Sequence, residues 1–172
     1  ERLIVEGRRI VGASLRRGHE AVVVGAGRVI VSMGALHSPA LLLRSGIGPA
    51  SHLAAMGIPV VAERRGVGRN LREHPSIGVS AFLRPNARIE SGEHYHIQLI
   101  LRWSSGTAGT GPGDMHTSLN ARSGWHPVGH RIGSIFSWVN KSYSHGFVEL
   151  QSPAPDIPPS VDFRLLSDER DL

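Results

Sequence analysis

The hydrophobic positions in the N-terminal part of the chain follow the pattern of antiparallel strands. Residues 2–24 alternate short apolar runs with turns that contain glycine, a spacing typical of a β-meander. The sequence VVGAG at residues 23–27 predicts a hairpin turn, because glycine tolerates the backbone angles of tight turns. Residues 29–32 carry an apolar β-branched run that does not alternate, which predicts a further, central strand.

A helix is predicted directly after this strand. The sequence GALHSPALLLRSGIGP at residues 34–49 contains Ser38 and Pro39, which are typical of a helix N-cap and of the first helical position. We therefore predict a helix from Ser38 to Arg44, ended by Gly46. A strand, a turn and a helix in this order place ligands at the carboxyl end of the strand.

The rest of the chain is predicted to consist mainly of strands and loops. A second short helix at residues 49–57 precedes an irregular, glycine-rich segment at residues 66–75. We expect the loop at residues 104–113 to be mobile, because its glycine and serine residues have little to bury. The predicted strands are residues 77–83, 96–103, 115–119, 132–139 and 146–151.

These elements predict an α+β fold in two parts. The chain has 172 residues, enough for one large or two small domains. The change of pattern places a boundary between residues 76 and 77. Residues 1–76 then belong to an α/β lobe, and residues 77–172 belong to an antiparallel sheet.

Composition and charge narrow the classes of function. The chain has no cysteine, which excludes disulfides, thiolate metal sites and a cysteine nucleophile from it. The net charge is +5, but the arginines are scattered, as in many GC-rich bacterial genes, so we expect no nucleic-acid partner. No apolar run approaches the roughly 20 residues of a membrane span, and we expect no signal peptide. We expect a cytoplasmic protein without a membrane span.

Two sequence blocks resemble the glucose–methanol–choline (GMC) family of flavoprotein oxidoreductases. Residues 34–48 are similar to a signature of that family. The sequence GIPVV at residues 57–61, followed by GVGRNLREHP at residues 66–75, is similar to a second family block. Glu73 stands there at a position where the family usually has aspartate.

A third and looser block lies near the end of the chain. The sequence SHGFVELQS at residues 144–152 and the sequence SDERD at residues 167–171 are similar to a family stretch in which arginine stands at the position of His145. Family members are much longer and begin with a G-x-G-x-x-G turn that this chain lacks. We therefore expect an internal fragment, whose partner is the remainder of the same polypeptide.

The resemblance implies an activity and a cofactor. GMC enzymes carry FAD and transfer a hydride from a small-molecule alcohol to the flavin, while a histidine removes the hydroxyl proton. Residues 1–76 would then be the C-terminal portion of the FAD-binding lobe, and residues 77–172 part of the substrate-binding domain. Taken alone, the 172-residue chain is expected to be inactive and to bind flavin weakly at most.

The resemblance also implies site residues, carried over position by position. No catalytic residue is expected in this chain. The sequence HPVG at residues 126–129 is similar to the run that carries the family's histidine base, but it precedes the third block and lacks the following threonine, so we interpret it as a loop. The expected cofactor-binding residues are Ser32, Met33, Gly34, Ala35, Asn70 and His74.

Several alternatives depend on the same residues. One alternative is a lyase of the GMC fold, similar to hydroxynitrile lyases, which would keep the flavin without net redox chemistry. Another alternative is a truncated, non-catalytic binding module. The chain has ten histidines, but no carboxylate cluster accompanies them, so we expect no metal. The metal interpretation would use His94, His96, His116, His126 and His130. We expect the substrate pocket to involve residues 82–132 and sequence outside this chain.

Overall fold

The structure, a computed structural model, describes residues 1–89, 95–124 and 126–172. The fold is mixed, with few helices and mostly antiparallel sheets. Within these described residues, single-turn 3₁₀ helices lie at Pro85–Ala87, Gly129–Arg131 and Glu169–Asp171. In chain order the other elements are β1 (Arg2–Glu6), β2 (Arg9–Arg17), β3 (Glu20–Gly25), α1 (Gly34–Arg44), β4 (Ile47–Gly48), α2 (Ala50–Ala55), β5 (Ala62–Glu63), β6 (Arg69–Leu71), β7 (Ser76–Phe82), β8 (Ile97–Trp103), β9 (Met115–Asn120), β10 (Ile132–Val139), β11 (Gly146–Glu149) and β12 (Ser160–Asp162).

The chain divides into two compact units, each made of two stretches of sequence. The first, which we call the meander unit, contains Glu1–Leu71 and His145–Arg164. The second, the sheet unit, contains Arg72–Ser144 and Leu165–Leu172. The sequence analysis placed one boundary, after residue 76, whereas the chain passes between the units three times. It returns to the meander unit because β11 pairs with β6 and β12.

The meander predicted for residues 2–24 is confirmed. Strands β1, β2 and β3 form an antiparallel sheet in sequence order. Leu3 on β1 is buried, and its backbone N–H donates to Ser45 Oγ, just beyond the end of α1, at 2.8 Å. This bond between backbone and side chain fixes the meander against the first helix.

Two predictions for the segment after β3 are wrong. Residues 23–27 do not form a hairpin, because β3 ends at Gly25 and residues 26–33 contain no strand that could pair with it. Residues 29–32 do not form a strand, and the side chain of Ile30 is 81% exposed. A strand forms only where its backbone N–H and C=O groups find partners across a ladder. In the described part of the chain, no neighbouring strand supplies them.

The first helix begins earlier than the sequence predicts. It starts at Gly34, with Met33 as its N-cap, so the assignment of Ser38 as N-cap is wrong. Ser38 instead accepts a hydrogen bond from the backbone N–H of Met33 at 3.0 Å. Pro39 therefore lies inside the helix, where it removes one backbone donor. The C-terminal end agrees with the prediction, since Gly46 has the positive φ of 79°.

The core of the meander unit lies between the two helices and the residue after β11. Its buried members are Ala40, Leu43, Leu53 and Leu150. The predicted second helix is confirmed as α2, and the N–H of Leu150 donates to His52 Nε2 on that helix at 3.1 Å. The half-buried residues Met56, Ile58 and Val67 close this core.

The sheet unit contains a four-stranded antiparallel sheet in the order β7-β10-β9-β8, which confirms the strands predicted there. Because side chains alternate along each strand, the register defines two faces. One, the aliphatic face, contains Ile77, Val79, Leu99, Leu101, Leu119 and Ile135, and also Trp103, Met115, Thr117, Ser137 and Val139. The other, the mixed face, contains Gly78, Ser80, Ile100, Arg102, His116, Ser118, Asn120, Ile132, Ser134, Phe136 and Trp138.

The loop at residues 104–113, for which we predicted mobility, is cross-linked by hydrogen bonds. The buried carboxylate of Asp114 accepts from the backbone N–H and the hydroxyl of Ser105, at 2.9 and 2.6 Å. These bonds from Ser105 hold the pKa of Asp114 below its ordinary value. The N–H of Gly111 donates to Tyr143 Oη at 2.8 Å, so both ends of the loop are attached to the sheet unit.

Candidate functional site

The predicted cofactor residues Ser32 to Ala35 form one exposed segment of the meander unit. All four are solvent-exposed, and they lead directly into α1. No side chain caps the N-terminus of this helix. The first N–H groups of a helix have no partner within it, so they favour a polar or anionic ligand. The segment therefore presents backbone donors on an open surface, with the side chain of Met33 also exposed.

Gly34 is the residue of this segment on which the fit of a cofactor depends. Its φ is +79°, a conformation that side chains with a Cβ rarely adopt. A Cβ built on Gly34 would meet nothing within 4 Å, so the backbone borders open space. The absence of a side chain lets a flat ligand approach the backbone closely, and this surface is compatible with the flavin dinucleotide that the resemblance implies.

Asn70 lies on β6 of the same unit, and its backbone conformation explains why asparagine stands at this position. Its φ is +59°, and asparagine is one of the few residues other than glycine that adopt this conformation readily. The residue is exposed and follows Gly68, whose φ is +75°. The sequence motif at residues 66–75 therefore encodes a specific path of the backbone, which is compatible with a role in cofactor binding but does not require one.

His74 belongs to the other unit, so the predicted site residues divide between the two. Its Nδ1 lies 2.7 Å from the carbonyl oxygen of Val139, and its backbone N–H donates to Glu73 Oε1 at 2.8 Å. The bond at Nδ1 requires a proton there, because a carbonyl oxygen only accepts. It fixes the orientation of the ring and leaves Nε2 as the nitrogen with which the exposed imidazole can contact another group.

The two parts of the third sequence block contact each other in the sheet unit. Asp171 is 4% exposed and accepts hydrogen bonds from Ser142 Oγ at 2.9 Å, from the Tyr143 N–H at 2.8 Å and from the Ser144 N–H at 2.7 Å. The hydroxyl of Ser144 in turn accepts from the N–H of Ser167 at 3.1 Å. These residues hold the turn before β11 against the last residues of the chain, a structural arrangement rather than a reactive one.

The ionisation of Asp171 follows from these contacts. Burial disfavours the carboxylate, which raises the pKa of Asp171, but hydrogen bonds from Ser144, Tyr143 and Ser142 favour the charged form. The hydrogen bonds outweigh burial, so the pKa lies below its ordinary value. Asp171 is therefore ionised at neutral pH and is a poor proton acceptor.

The histidines considered for catalysis or metal binding have local roles. His126 Nδ1 accepts from the N–H of Gly129 at 3.1 Å, within a turn that leads into the 3₁₀ helix Gly129–Arg131. His94 lies outside the described residues. Among the residues that the structure describes, no three histidine, aspartate or glutamate side chains are grouped as a metal ion requires.

The sequence analysis missed the aromatic side chains of the mixed face. Trp138 and His116 lie opposite each other on β10 and β9, with ring centroids 5.3 Å apart. Trp138 lies outside the segment 82–132 in which we expected the substrate pocket. The alternation of polar and aromatic residues along β9 and β10 was the available signal, but identifying the face requires the register between the strands.

Comparison with known proteins identifies the relatives of this chain. The family model described as GMC oxidoreductase matches residues 1–76. The whole chain is similar to a 5-(hydroxymethyl)furfural oxidase of Methylovorus sp. (strain MP688), with 47% identity over 176 aligned positions that cover 99% of this chain and 32% of that protein. An oxygen-dependent choline dehydrogenase of Sinorhizobium medicae (strain WSM419) is 50% identical over 74 residues, which are 42% of this chain and 14% of the relative.

Solved structures show the same fold. A pyridoxine 4-oxidase from Mesorbium loti superposes with a TM-score of 0.83 and 24% identity, over 99% of this chain and 34% of that one. A formate oxidase superposes with a TM-score of 0.84 and 18% identity, over 99% of this chain and 39% of that one. The chain thus spans about a third of the length of the proteins that it matches from end to end.

These matches confirm the resemblance expected from the sequence: residues 1–76 belong to the GMC oxidoreductase family. FAD is the cofactor of that family, which agrees with the cofactor expected from the sequence. No helix in the described part of the chain is long and apolar enough to cross a membrane.

Proposed function

We propose that this chain is part of an FAD-dependent enzyme that oxidises alcohols. The exposed, glycine-dependent segment Ser32 to Ala35 carries the proposal, because it offers the cofactor a close approach to the backbone. The names of the relatives support the reaction, since the 5-(hydroxymethyl)furfural oxidase and the choline dehydrogenase are both named for substrates with a hydroxyl group. In this proposal the meander unit is the end of the FAD-binding lobe and the sheet unit part of the substrate domain.

The residues of this chain bind and orient rather than react. The chemistry that FAD supplies when bound is acceptance of the hydride from the carbinol carbon, while the hydroxyl proton passes to a base. Ser32, Met33, Gly34 and Ala35 hold the cofactor through backbone groups. Asn70 maintains the backbone path of the segment at residues 66–75, and His74, in the sheet unit, presents Nε2 as a hydrogen-bond acceptor. We assign the base to none of the residues of this chain.

The aliphatic face of the four-stranded sheet supports a further partner. Many of its apolar residues are exposed, with Ile77 71% exposed and Val79 68% exposed. A face with this many exposed apolar side chains is typical of a surface that another protein segment covers. We assign the remainder of the same polypeptide to it, since the relatives are about three times as long as this chain.

The reaction is tested on the FAD-loaded, full-length protein. Anaerobic mixing with a primary alcohol is expected to bleach the absorbance band of the oxidised flavin, with one aldehyde formed for each flavin reduced. A lyase of the same fold would leave the flavin oxidised and would cleave its substrate. A binding module would leave both flavin and alcohol unchanged, and either result would contradict the proposed function.

Replacement of Gly34 with alanine is expected to weaken FAD binding at least tenfold. The new Cβ would occupy the space in which the cofactor approaches the backbone, at a φ of +79° that alanine adopts poorly. Gly106 offers a matched control, because its φ is +78° and a Cβ there also meets nothing within 4 Å. Both variants strain the backbone equally, but Gly106→Ala should retain FAD. Equal loss in the two variants, measured by titration of the apoprotein with FAD, would contradict the assigned site.

A further inference from the structure

Two cavities of the meander unit meet at a pair of arginines. The smaller cavity has a volume of about 310 Å³ and lies between β1, the end of α1 and the segment that follows α2. The larger cavity has a volume of about 490 Å³ and extends to β2. Arg2, Arg44, Ile58 and Pro59 line both cavities, so the two arginines lie where the cavities join. All the lining residues belong to the meander unit.

Arg44, the last residue of α1, has a buried nitrogen without a partner. Its Nε donates no hydrogen bond in the described structure. A cation at the end of a helix often interacts with the last carbonyl groups of that helix. Here the carbonyl oxygens of residues 41–43 accept from the backbone N–H groups of Ser45 and Gly46 instead. The Nε–H group of Arg44 is therefore a buried donor that the acceptor atom of a ligand would satisfy.

The charges around the cavities favour an anion. Glu1 lines the larger cavity, but its carboxylate already accepts from Arg16 Nε at 2.7 Å and from Ser14 Oγ at 3.1 Å. Among the residues that the structure describes, Arg2 and Arg44 form no ion pair. The junction of the two cavities therefore carries two positive charges without a counter-ion.

The smaller cavity adds an apolar wall beside these charges. Leu3, Ile58, Pro59 and Val61 contribute to this wall. A guanidinium presents its N–H groups as a planar fork, which matches the two oxygens of a carboxylate. Apolar surface next to such a fork suits a carboxylate that carries a hydrocarbon chain, because burial of the chain adds to the binding of the charged group.

We infer that the meander unit holds a binding site for an aliphatic carboxylate at the junction of the two cavities. The carboxylate group accepts hydrogen bonds from Arg44 and Arg2, and the chain lies along Ile58 and Val61 in the smaller cavity. The proposed cofactor segment Ser32 to Ala35 lines neither cavity, so the two sites are distinct. The inference does not depend on the proposed function.

The test measures the binding of short carboxylates to the full-length protein by isothermal titration calorimetry. The protein is saturated with FAD, which keeps the probes out of the cofactor site. Hexanoate is expected to bind about tenfold more tightly than butyrate, because each buried methylene contributes up to roughly a factor of four. Hexanamide has the same chain without the charge and should bind about tenfold more weakly than hexanoate, or worse. Equal affinities of butyrate and hexanoate, or of hexanoate and hexanamide, would overturn the inference.

Variants with one arginine fewer locate the site. Arg44→Gln is expected to weaken hexanoate binding about tenfold or more, the range for lost hydrogen bonds to a charged group. Arg2→Gln should weaken it about two- to fivefold, because Arg2 is exposed. Arg9→Gln is the matched control, since Arg9 is an exposed arginine of β2 that lines neither cavity. It removes the same charge and should change the affinity by less than about twofold. Equal affinities of Arg44→Gln and Arg9→Gln would contradict the assigned site.

Thermal unfolding separates a binding role of Arg44 from a structural one. Because its Nε donates to no group in the described structure, Arg44→Gln should leave the unfolding midpoint of the ligand-free protein within about 2 °C. Hexanoate should raise the midpoint of the unmodified protein and of Arg9→Gln, but not that of Arg44→Gln. If Arg44→Gln does not fold, Arg2→Gln decides the question. Hexanoate affinity as high in Arg2→Gln as in Arg9→Gln would then overturn the inference.

Discussion

Replacement of Gly68 with alanine is expected to lower the free energy of unfolding by about 3 kcal/mol or more, the range for a steric clash combined with an unfavourable backbone angle. Gly68 is buried and has a φ of +75°. A Cβ there would collide with the carbonyl oxygen of Val148. The collision would also disturb the hydrogen bond from the Val148 N–H to the Gly68 carbonyl oxygen, which measures 2.7 Å.

Gly66, two residues earlier in the same motif, is the matched control. Its φ is not positive, and a Cβ there meets nothing within 4 Å. Gly66→Ala should therefore change the free energy of unfolding by less than about 1 kcal/mol. The change is expected to be a small increase in stability, because alanine restricts the unfolded chain more than glycine does. Urea unfolding of the two variants measures the difference. If both alanine variants prove equally stable, the close approach of Gly68 to β11 does not govern the stability of this unit.

Replacement of Asp171 with alanine is expected to lower the free energy of unfolding at pH 7 by about 3 kcal/mol, since buried donors left without an acceptor cost about 1–3 kcal/mol each. The variant would remove the acceptor for Ser142, Tyr143 and Ser144. Asp168→Asn serves as the control, because Asp168 pairs with the half-exposed Arg170 and asparagine still caps the following turn. That variant should lose less than about 1 kcal/mol.

The contribution of Asp171 depends on pH in a defined direction. Its pKa is lowered in the folded state by the hydrogen bonds that it accepts, which outweigh the opposing effect of burial. The stabilisation is therefore fully present above the unfolded value of about 3.9 and is lost as the pH falls through the lower folded value. The difference in stability between the unmodified protein and Asp171→Ala should shrink below about pH 3.9. A difference in stability that stays constant from pH 7 to pH 3 would show that the charge of the Asp171 carboxylate is not the source of the stabilisation.

Local sequence patterns correctly predict those strands and helix ends whose hydrogen-bonding partners lie close along the chain. The meander of β1 to β3 needs only neighbouring segments to pair, so its alternation predicts it correctly. The strands of the sheet unit were also predicted, because their apolar runs are bounded by turn-forming segments, although β7 pairs with the distant β10. The end of α1 was also predicted, since Gly46 adopts the positive φ that glycine permits.

The failures occurred where backbone hydrogen bonds, rather than the residue pattern, decide the outcome. The β-branched run at residues 29–32 satisfies the pattern of a buried strand, yet a strand requires a neighbour to complete its backbone hydrogen bonds. Ser38 and Pro39 carry the signal of a helix start, but the hydrogen bond from the Met33 N–H to Ser38 Oγ places the start one turn earlier. The mobility of the loop at residues 104–113 stays a prediction, and the structure adds hydrogen bonds from this loop to Tyr143 and Asp114.

In the candidate site, too, some features follow from the sequence alone and others only from the tertiary structure. The motif at residues 66–75 identifies the family, and its glycines and Asn70 are explained by backbone angles that few other residues adopt. The sequence alone therefore determined the family and the cofactor of this protein, because those properties depend on local backbone geometry. The tertiary structure alone decided that His74 is oriented by Val139, and that Trp138, His116 and Asn120 share one face. Strand register brings such residues together, and register depends on pairing between segments that are distant in the chain.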